Sequence, residues 1–83
     1  MSLRDRVIRV TSQVLNVPAE SITDDSSPRT VEGWDSLGHM NLMLALEEEF
    51  GVQLSDERIM QLLSVGAILQ ALGELSGPGA NHA

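Results

Sequence analysis

Apolar residues recur at spacings of three and four along most of this chain, which is the period of an amphipathic α-helix. The first apolar stripe consists of Leu3, Val7, Val10 and Val14. Ser2 stands where an N-cap is expected, and Pro18 ends the stripe because the residue before a proline avoids helical angles. The pattern therefore predicts a first helix that begins near residue 3 and ends before Asn16.

Three further helices are predicted beyond a long loop over residues 16–35. The second is expected from about Ser36 to Phe50, followed by Gly51 in the left-handed conformation that often ends a helix. Ser55 and Ser64 are the expected caps of a short third helix and of a fourth. The inward-facing residues are predicted to be Ile59, Leu62 and Leu63 in the third helix and Val65, Ile68, Leu69 and Leu72 in the fourth.

No stretch alternates apolar and polar residues as a strand would, so the predicted class is all-α, a small four-helix bundle with three principal helices and one short one. We expect Ile22, Val31 and Trp34 to fix the long loop to the core, and a loop of that length is often functional. One domain is predicted over residues 1–75, with a flexible tail over residues 76–83.

Composition narrows the class of protein. The chain has no cysteine, which excludes disulfides and cysteine-based metal sites, and no metal site is expected. Its apolar runs are too short to span a bilayer, and no signal peptide pattern opens it. We therefore expect a cytoplasmic monomer without a membrane partner.

The net charge of −7 is unevenly distributed. Residues 1–19 hold three arginines against Asp5, a balance of +2, whereas residues 20–74 hold eleven acidic residues against two arginines, a balance of −9. Such a surface repels nucleic acids and anionic lipids and suits basic partner proteins. Acidity alone fits equally well a charge that only keeps a small domain soluble.

The candidate chemistry lies in Asp35-Ser36-Leu37, at the predicted start of the second helix. Backbone N–H groups at a helix N-terminus lack intrahelical partners and can hold an anion such as a phosphate. Asp35 is the expected N-cap, which leaves the Ser36 hydroxyl exposed beside these donors. The pattern suggests a serine to which another group is attached.

The stretch Gly-Trp-Asp-Ser-Leu-Gly-His-Met, continued by Leu-Ala-Leu-Glu-Glu-Glu-Phe-Gly-Val, resembles the acyl carrier protein family. The resemblance implies that Ser36 carries 4′-phosphopantetheine, with Asp35 and Leu37 completing the attachment motif. It also implies a phosphopantetheinyl transferase as a partner, together with acyl-loading and acyl-processing enzymes such as a ketosynthase, an acyltransferase or a ligase. The carrier itself would be no enzyme.

The second helix has more apolar surface than packing requires. One stripe, expected to be buried, consists of Leu42, Met43, Leu46 and Phe50. A second consists of Leu37, Met40 and Leu44, flanked by Glu47 and Glu48. The second stripe fits either a helix buried on two sides or a partner-binding face, and methionine suits the latter because it adapts to varied surfaces. The family resemblance favours partner binding.

Two other kinds of site are disfavoured. A Ser36-His39-Asp35 hydrolase lacks the G-x-S-x-G turn, and Asp35 is better placed as a cap than as the orienting acid, so His39 is expected at the core edge or on the surface. The acidic residues around Asp24 do not follow the spacing of a calcium loop. A solvated acidic loop is the simpler interpretation.

The pathway is predicted from the start of the second helix. Carriers of fatty acid synthesis usually have acidic residues there, whereas Gly38, His39 and Asn41 are neutral. Together with Trp34 and the Gly-His pair, this resembles discrete carriers of polyketide, nonribosomal or related specialised pathways. The alternatives are a housekeeping fatty acid carrier, an aminoacyl carrier or, from another class, an unmodified helical interaction module. We expect Gly38→Asp and Asn41→Glu together to improve pairing with a fatty acid ketosynthase.

Overall fold

The computed structural model describes residues 2–76, which form four α-helices and, over that range, no strand. These are α1 (Leu3–Leu15), α2 (Ser36–Phe50), α3 (Asp56–Gln61) and α4 (Val65–Ser76), with a short 3₁₀ helix at Ala19–Ser21 inside the long loop. The predicted all-α fold, with three principal helices and one short one, is confirmed. Ser76 belongs to α4, and the rest of the predicted tail lies outside the described residues.

The ends of the helices are set by the residues that the sequence suggested. The hydroxyls of Ser2, Ser55 and Ser64 accept hydrogen bonds from backbone N–H groups three residues further on, at 3.0–3.1 Å. Asn16 and Gly51 follow α1 and α2 in the left-handed conformation, with φ of 58° and 65°. These caps satisfy donors and acceptors that would otherwise have no partner, and so they fix where each helix begins and ends.

A single aliphatic core joins the principal helices. Its fully buried members are Val7 of α1, Leu42, Met43 and Leu46 of α2, and Val65, Ile68 and Leu72 of α4. The long loop is fixed to this core by the buried side chains of Ile22 and Trp34, whereas Val31 is only partly buried. No helix within residues 2–76 is long and apolar enough to cross a membrane.

Two apolar residues lie elsewhere than predicted. Leu63, expected inside, is 48% exposed, because α3 ends at Gln61 and the chain turns at Leu62, whose side chain is buried as predicted. Phe50, expected to be buried, is only partly buried, and the Arg6 guanidinium lies 4.4 Å from the centre of its ring. A cation over an aromatic face is favourable, so the end of α2 is covered by α1 rather than enclosed.

The basic residues of α1 bind acidic residues of other elements. Glu49 accepts from both Arg6, at 3.2 Å, and Arg9, at 2.9 Å. Arg4 pairs with Asp24 of the loop, and Arg58 of α3 pairs with Glu74 of α4 at 3.3 Å. These pairs are at least partly exposed, so each contributes little to stability, but they use four of the five arginines.

Candidate functional site

Ser36 is the first residue of α2 and its side chain is exposed. Asp35 caps the helix as predicted, since its Oδ1 accepts from the Gly38 N–H at 2.8 Å and its carbonyl from the His39 N–H at 2.7 Å. Within residues 2–76 the N–H groups of Ser36 and Leu37 donate no hydrogen bond. An exposed hydroxyl therefore lies beside unused donors at the positive end of a helix, where a phosphate can be held.

A buried hydrogen-bonded pair fixes the loop that leads into Ser36. Trp34 donates its Nε1–H to Nδ1 of His39 at 2.9 Å, and the planes of the two rings are inclined by 21°. Because the indole can only donate, Nδ1 of His39 is the acceptor. Nε2 of His39 therefore carries the proton, and it donates to the carbonyl of Ile59 at 2.7 Å. This bridge joins the loop, α2 and α3 directly behind Ser36.

The same bridge settles the position of His39. It is buried, at 9% exposure, in agreement with the core-edge alternative rather than the surface one. Both of its ring nitrogens are bound, to Trp34 and to Ile59, so neither can take a proton from Ser36 in this arrangement. The sequence suggested a core-edge histidine but gave no sign of its two partners, because they come from a loop and from another helix.

The outer face of α2 is apolar and exposed. Leu37 is 71% exposed, Met40 44% and Leu44 56%, while Leu42, Met43 and Leu46 are fully buried. The second stripe is thus exposed, as a partner-binding face requires, and α2 is not buried on both sides. Two further apolar side chains are exposed, namely Met60, which the sequence analysis did not name, and Leu63, which it placed inside. An exposed apolar patch of this kind often marks an interaction surface.

The three glutamates at the end of α2 have different environments. Glu47 is half-buried, and its Oε2 accepts from the Leu54 N–H at 2.7 Å, a contact that the sequence did not predict. Glu49 is paired with the arginines of α1. Glu48 is exposed and makes no hydrogen bond or ion pair with any residue between 2 and 76. The acidic rim expected from Glu47 and Glu48 is therefore provided mainly by Glu48.

Gly38 is required by a close approach of backbone to backbone. A Cβ at this position would lie 2.3 Å from the carbonyl oxygen of Gly33, and Gly33 itself has a φ of 91°. The expectation that Gly38→Asp would simply add a charge is therefore wrong, since any side chain would displace the loop. Of the two positions proposed for added charge, only Asn41 is exposed and suitable.

We expect Gly38→Ala to destabilise the domain by about 1–3 kcal/mol, because the added methyl overlaps backbone that cannot easily move. Gly73 is the matched control, since it lies inside α4 and a Cβ there would meet nothing within 4 Å. Gly73→Ala should stabilise the domain by about 0.5–1 kcal/mol, the usual gain at an open helical position. Urea unfolding measures both, and a neutral or stabilising Gly38→Ala would show that Gly33 and Gly38 are not in close contact.

A concavity of about 410 Å³ adjoins the serine. Its lining residues are Pro28, Trp34, Asp35, Ser36, His39 and Leu63. Most of this wall is apolar, and it lies between the loop and the turn after α3. A group attached to Ser36 thus has both an anion-binding helix end and an apolar surface beside it.

Comparison with known proteins agrees with this geometry. The family model described as "Phosphopantetheine attachment site" matches residues 5–72. Acyl carrier proteins from the Helicobacter pylori strains G27, ATCC 700392 / 26695 and HPAG1 are each 34% identical over 70 residues, covering 84% of this chain and 90% of the relative. The solution NMR structure of a holo acyl carrier protein from Geobacter metallireducens superposes with a TM-score of 0.84 at 24% identity, covering 100% of this chain and 95% of that one.

The fold and the matched family model define a helical carrier of a phosphopantetheine arm. More specifically, the chain belongs to the acyl carrier protein family. Its cofactor is covalently attached 4′-phosphopantetheine. The exposed serine hydroxyl and the unused N–H groups at the start of α2 fit a phosphodiester of this kind.

Proposed function

We propose that Ser36 is the attachment residue and that the protein carries acyl intermediates between partner enzymes. The observation that carries this proposal is the exposed Ser36 hydroxyl beside the unused N–H groups of α2, inside the region that the family model matches. In the transferase reaction, Ser36 Oγ would form a bond to the phosphorus of coenzyme A that bears pantetheine. The pyrophosphate bond would break, the nucleotide would leave, and the hydroxyl proton would pass to a base of the transferase.

The residues present indicate which groups the protein supplies and which the phosphopantetheine supplies. The chain has no cysteine, so the thiol that binds an acyl group as a thioester is supplied by phosphopantetheine. The protein contributes the attachment point, the rigid helix end that holds it and the surface that enzymes recognise. Tethering keeps the intermediate at a high effective concentration near successive active sites, so the carrier itself needs no catalytic residue.

The outer face of α2 is the proposed docking surface. Leu37, Met40 and Leu44 are exposed next to the attachment residue, and removing them from water upon binding would be favourable. Glu48, which has no ion-pair partner within the part of the chain that the structure describes, adds a charge at the far end of this face, with Glu47 beside it. The proposed partners are the phosphopantetheinyl transferase and acyl-loading and acyl-processing enzymes, namely a ketosynthase, an acyltransferase or a ligase.

For the pathway, we propose specialised biosynthesis of the polyketide or nonribosomal type. The first turns of α2 offer a partner no acidic side chain beyond the capping Asp35, and Gly38 cannot be replaced by one without displacing Gly33. Trp34 and His39 support the same proposal, because their presence beside the motif resembles carriers of specialised pathways. The hydrogen bond between them makes them one structural unit.

Mass spectrometry tests the attachment residue. The purified protein is incubated with coenzyme A, magnesium and a broad-specificity transferase, and its peptides are then sequenced by fragmentation. One phosphopantetheine per chain is expected, on the peptide that contains Asp35-Ser36-Leu37. Attachment at any other residue, or none, would contradict the proposal.

The pathway proposal predicts the effect of one added charge. Asn41→Glu should increase the turnover of this carrier by a fatty acid ketosynthase, because charges at an interface rim raise the rate of encounter with a basic partner. The gain should be largest at low ionic strength, where screening is weakest. Turnover is measured against salt concentration with the same acyl group on each carrier.

Gln70→Glu is the control for that experiment, since it adds the same charge to an exposed position on α4. It should leave turnover unchanged. If the carrier with Asn41 in place already reaches the turnover of a fatty acid carrier at every salt concentration, the housekeeping alternative is favoured instead.

A further inference from the structure

The concavity beside Ser36 continues along the long loop. A second concavity, of about 420 Å³, is lined by Ser27, Pro28, Arg29 and Leu63. It shares Pro28 and Leu63 with the concavity at Ser36, so the two form one surface groove. We call it the Pro28 groove. It begins at Ser36, passes Pro28 and Leu63 and reaches Arg29.

Arg29 differs from the other arginines of the chain. The other four each pair with a carboxylate. Within residues 2–76, Arg29 has no carboxylate within 4 Å, although the surface of this domain is strongly acidic. An exposed cation at the end of a groove, with no carboxylate partner among the described residues of a chain of net charge −7, is available to an anionic ligand.

We propose that the Pro28 groove holds the arm on Ser36 when its acyl group ends in a carboxylate, and that Arg29 binds this carboxylate. This inference rests on the proposed function, because it needs the arm on Ser36. It assigns a residue that would distinguish acyl groups ending in a carboxylate, such as malonyl, from neutral ones. Leu63 and Pro28 contact the pantetheine portion, and Arg29 determines the preference for charge.

The geometry favours the cargo over the phosphate as the partner of Arg29. The phosphate is fixed at Ser36, where the N–H groups of Ser36 and Leu37 already provide donors. Arg29 lines the second concavity, and Ser36 lines only the first. Arginine matches a carboxylate with two parallel hydrogen bonds, which a neutral acyl group of the same length cannot accept.

The test compares two cargoes on one protein. A broad-specificity transferase loads ¹⁵N-labelled protein from malonyl-coenzyme A or from butyryl-coenzyme A, and intact mass confirms each product. Two-dimensional NMR then records the amide signals and the Arg29 Nε–H signal. We expect malonyl to shift the signals of Arg29 and Leu63 at least twofold more than butyryl does. The difference should fall by half or more in about 1 M salt, where the screening length is about 3 Å.

Variants identify the residue responsible. Arg29→Gln should abolish the difference between the two cargoes, and Arg29→Lys should retain part of it because the charge remains. Arg58→Gln is the matched control, since it removes the same charge from an arginine that is paired with Glu74, and it should change nothing at Leu63. Thermal unfolding of each variant checks that the fold is kept.

Each outcome has one meaning. Equal shifts from malonyl and butyryl would overturn the inference, since Arg29 would then contact the arm or its phosphate rather than the cargo. A difference that survives in Arg29→Gln would overturn it too. If intact mass shows no attachment, the proposed function fails, and the inference fails with it. Attachment without a cargo-dependent shift contradicts the inference alone.

Discussion

Replacing Ser36 by alanine is expected to abolish attachment of phosphopantetheine completely. The Ser36 hydroxyl is the nucleophile proposed for the reaction, and no thiol is present in the chain to replace it. The alanine should not disturb the fold, because Ser36 is exposed and the helix is capped by the neighbouring Asp35. Intact mass after incubation with coenzyme A, magnesium and a transferase gives the result.

Ser55 provides a demanding control for that experiment. It is also an exposed serine at a helix start, but it caps α3 with its own hydroxyl. Ser55→Ala should therefore lose a little stability, about 1 kcal/mol, and still accept one phosphopantetheine. Attachment that persists in Ser36→Ala, or disappears in Ser55→Ala, would place the site elsewhere.

Local signals predicted the helices well. Each helix start depends on one side chain that accepts from the backbone a few residues away, as Ser2, Asp35 and Ser55 do. Such contacts depend on neighbours in sequence, so they can be read from sequence alone. The exposed stripe of α2 was predictable for a related reason, since helical periodicity fixes which side chains share a face.

Contacts between distant residues could not be predicted in the same way. From the sequence, Glu47 was expected to be a solvated acid, but its carboxylate accepts a hydrogen bond from the Leu54 N–H. Leu63 was expected to be a core residue, but α3 ends before it. Gly38 appeared to be a neutral position open to substitution, but the carbonyl of Gly33 occupies the space that a side chain would need. In each case the deciding neighbour is brought close by the path of a loop.

The Trp34–His39 bridge shows how local signals and contacts between distant residues combine at the site. The family resemblance pointed to the motif around Ser36, and local capping placed Ser36 at a helix start. The loop before it is held by a hydrogen bond between two rings and by another to the carbonyl of Ile59. A buried pair of this kind orders the loop before Ser36, so the proposed attachment residue lies at a fixed helix end rather than in a flexible segment.

Leu46→Ala is expected to destabilise the domain by about 2–5 kcal/mol, because it removes a buried side chain and leaves a cavity. Leu46 is fully buried between the helices, so little rearrangement can fill the space. A domain of this size has only about 5–15 kcal/mol of stability in total, so the variant should unfold at clearly lower urea concentrations. Trp34, the single tryptophan and a buried one, reports the transition by fluorescence.

Leu44→Ala is the matched comparison, with the same substitution two residues away on the same helix. Leu44 is 56% exposed, so its loss should change stability by no more than about 0.5 kcal/mol. Its effect should appear instead in docking, as a lower rate of loading by the transferase or of turnover by a partner enzyme. Equal destabilisation by Leu44→Ala and Leu46→Ala would show that the outer stripe belongs to the core. A stable Leu44→Ala protein with unchanged docking would remove Leu44 from the proposed partner surface.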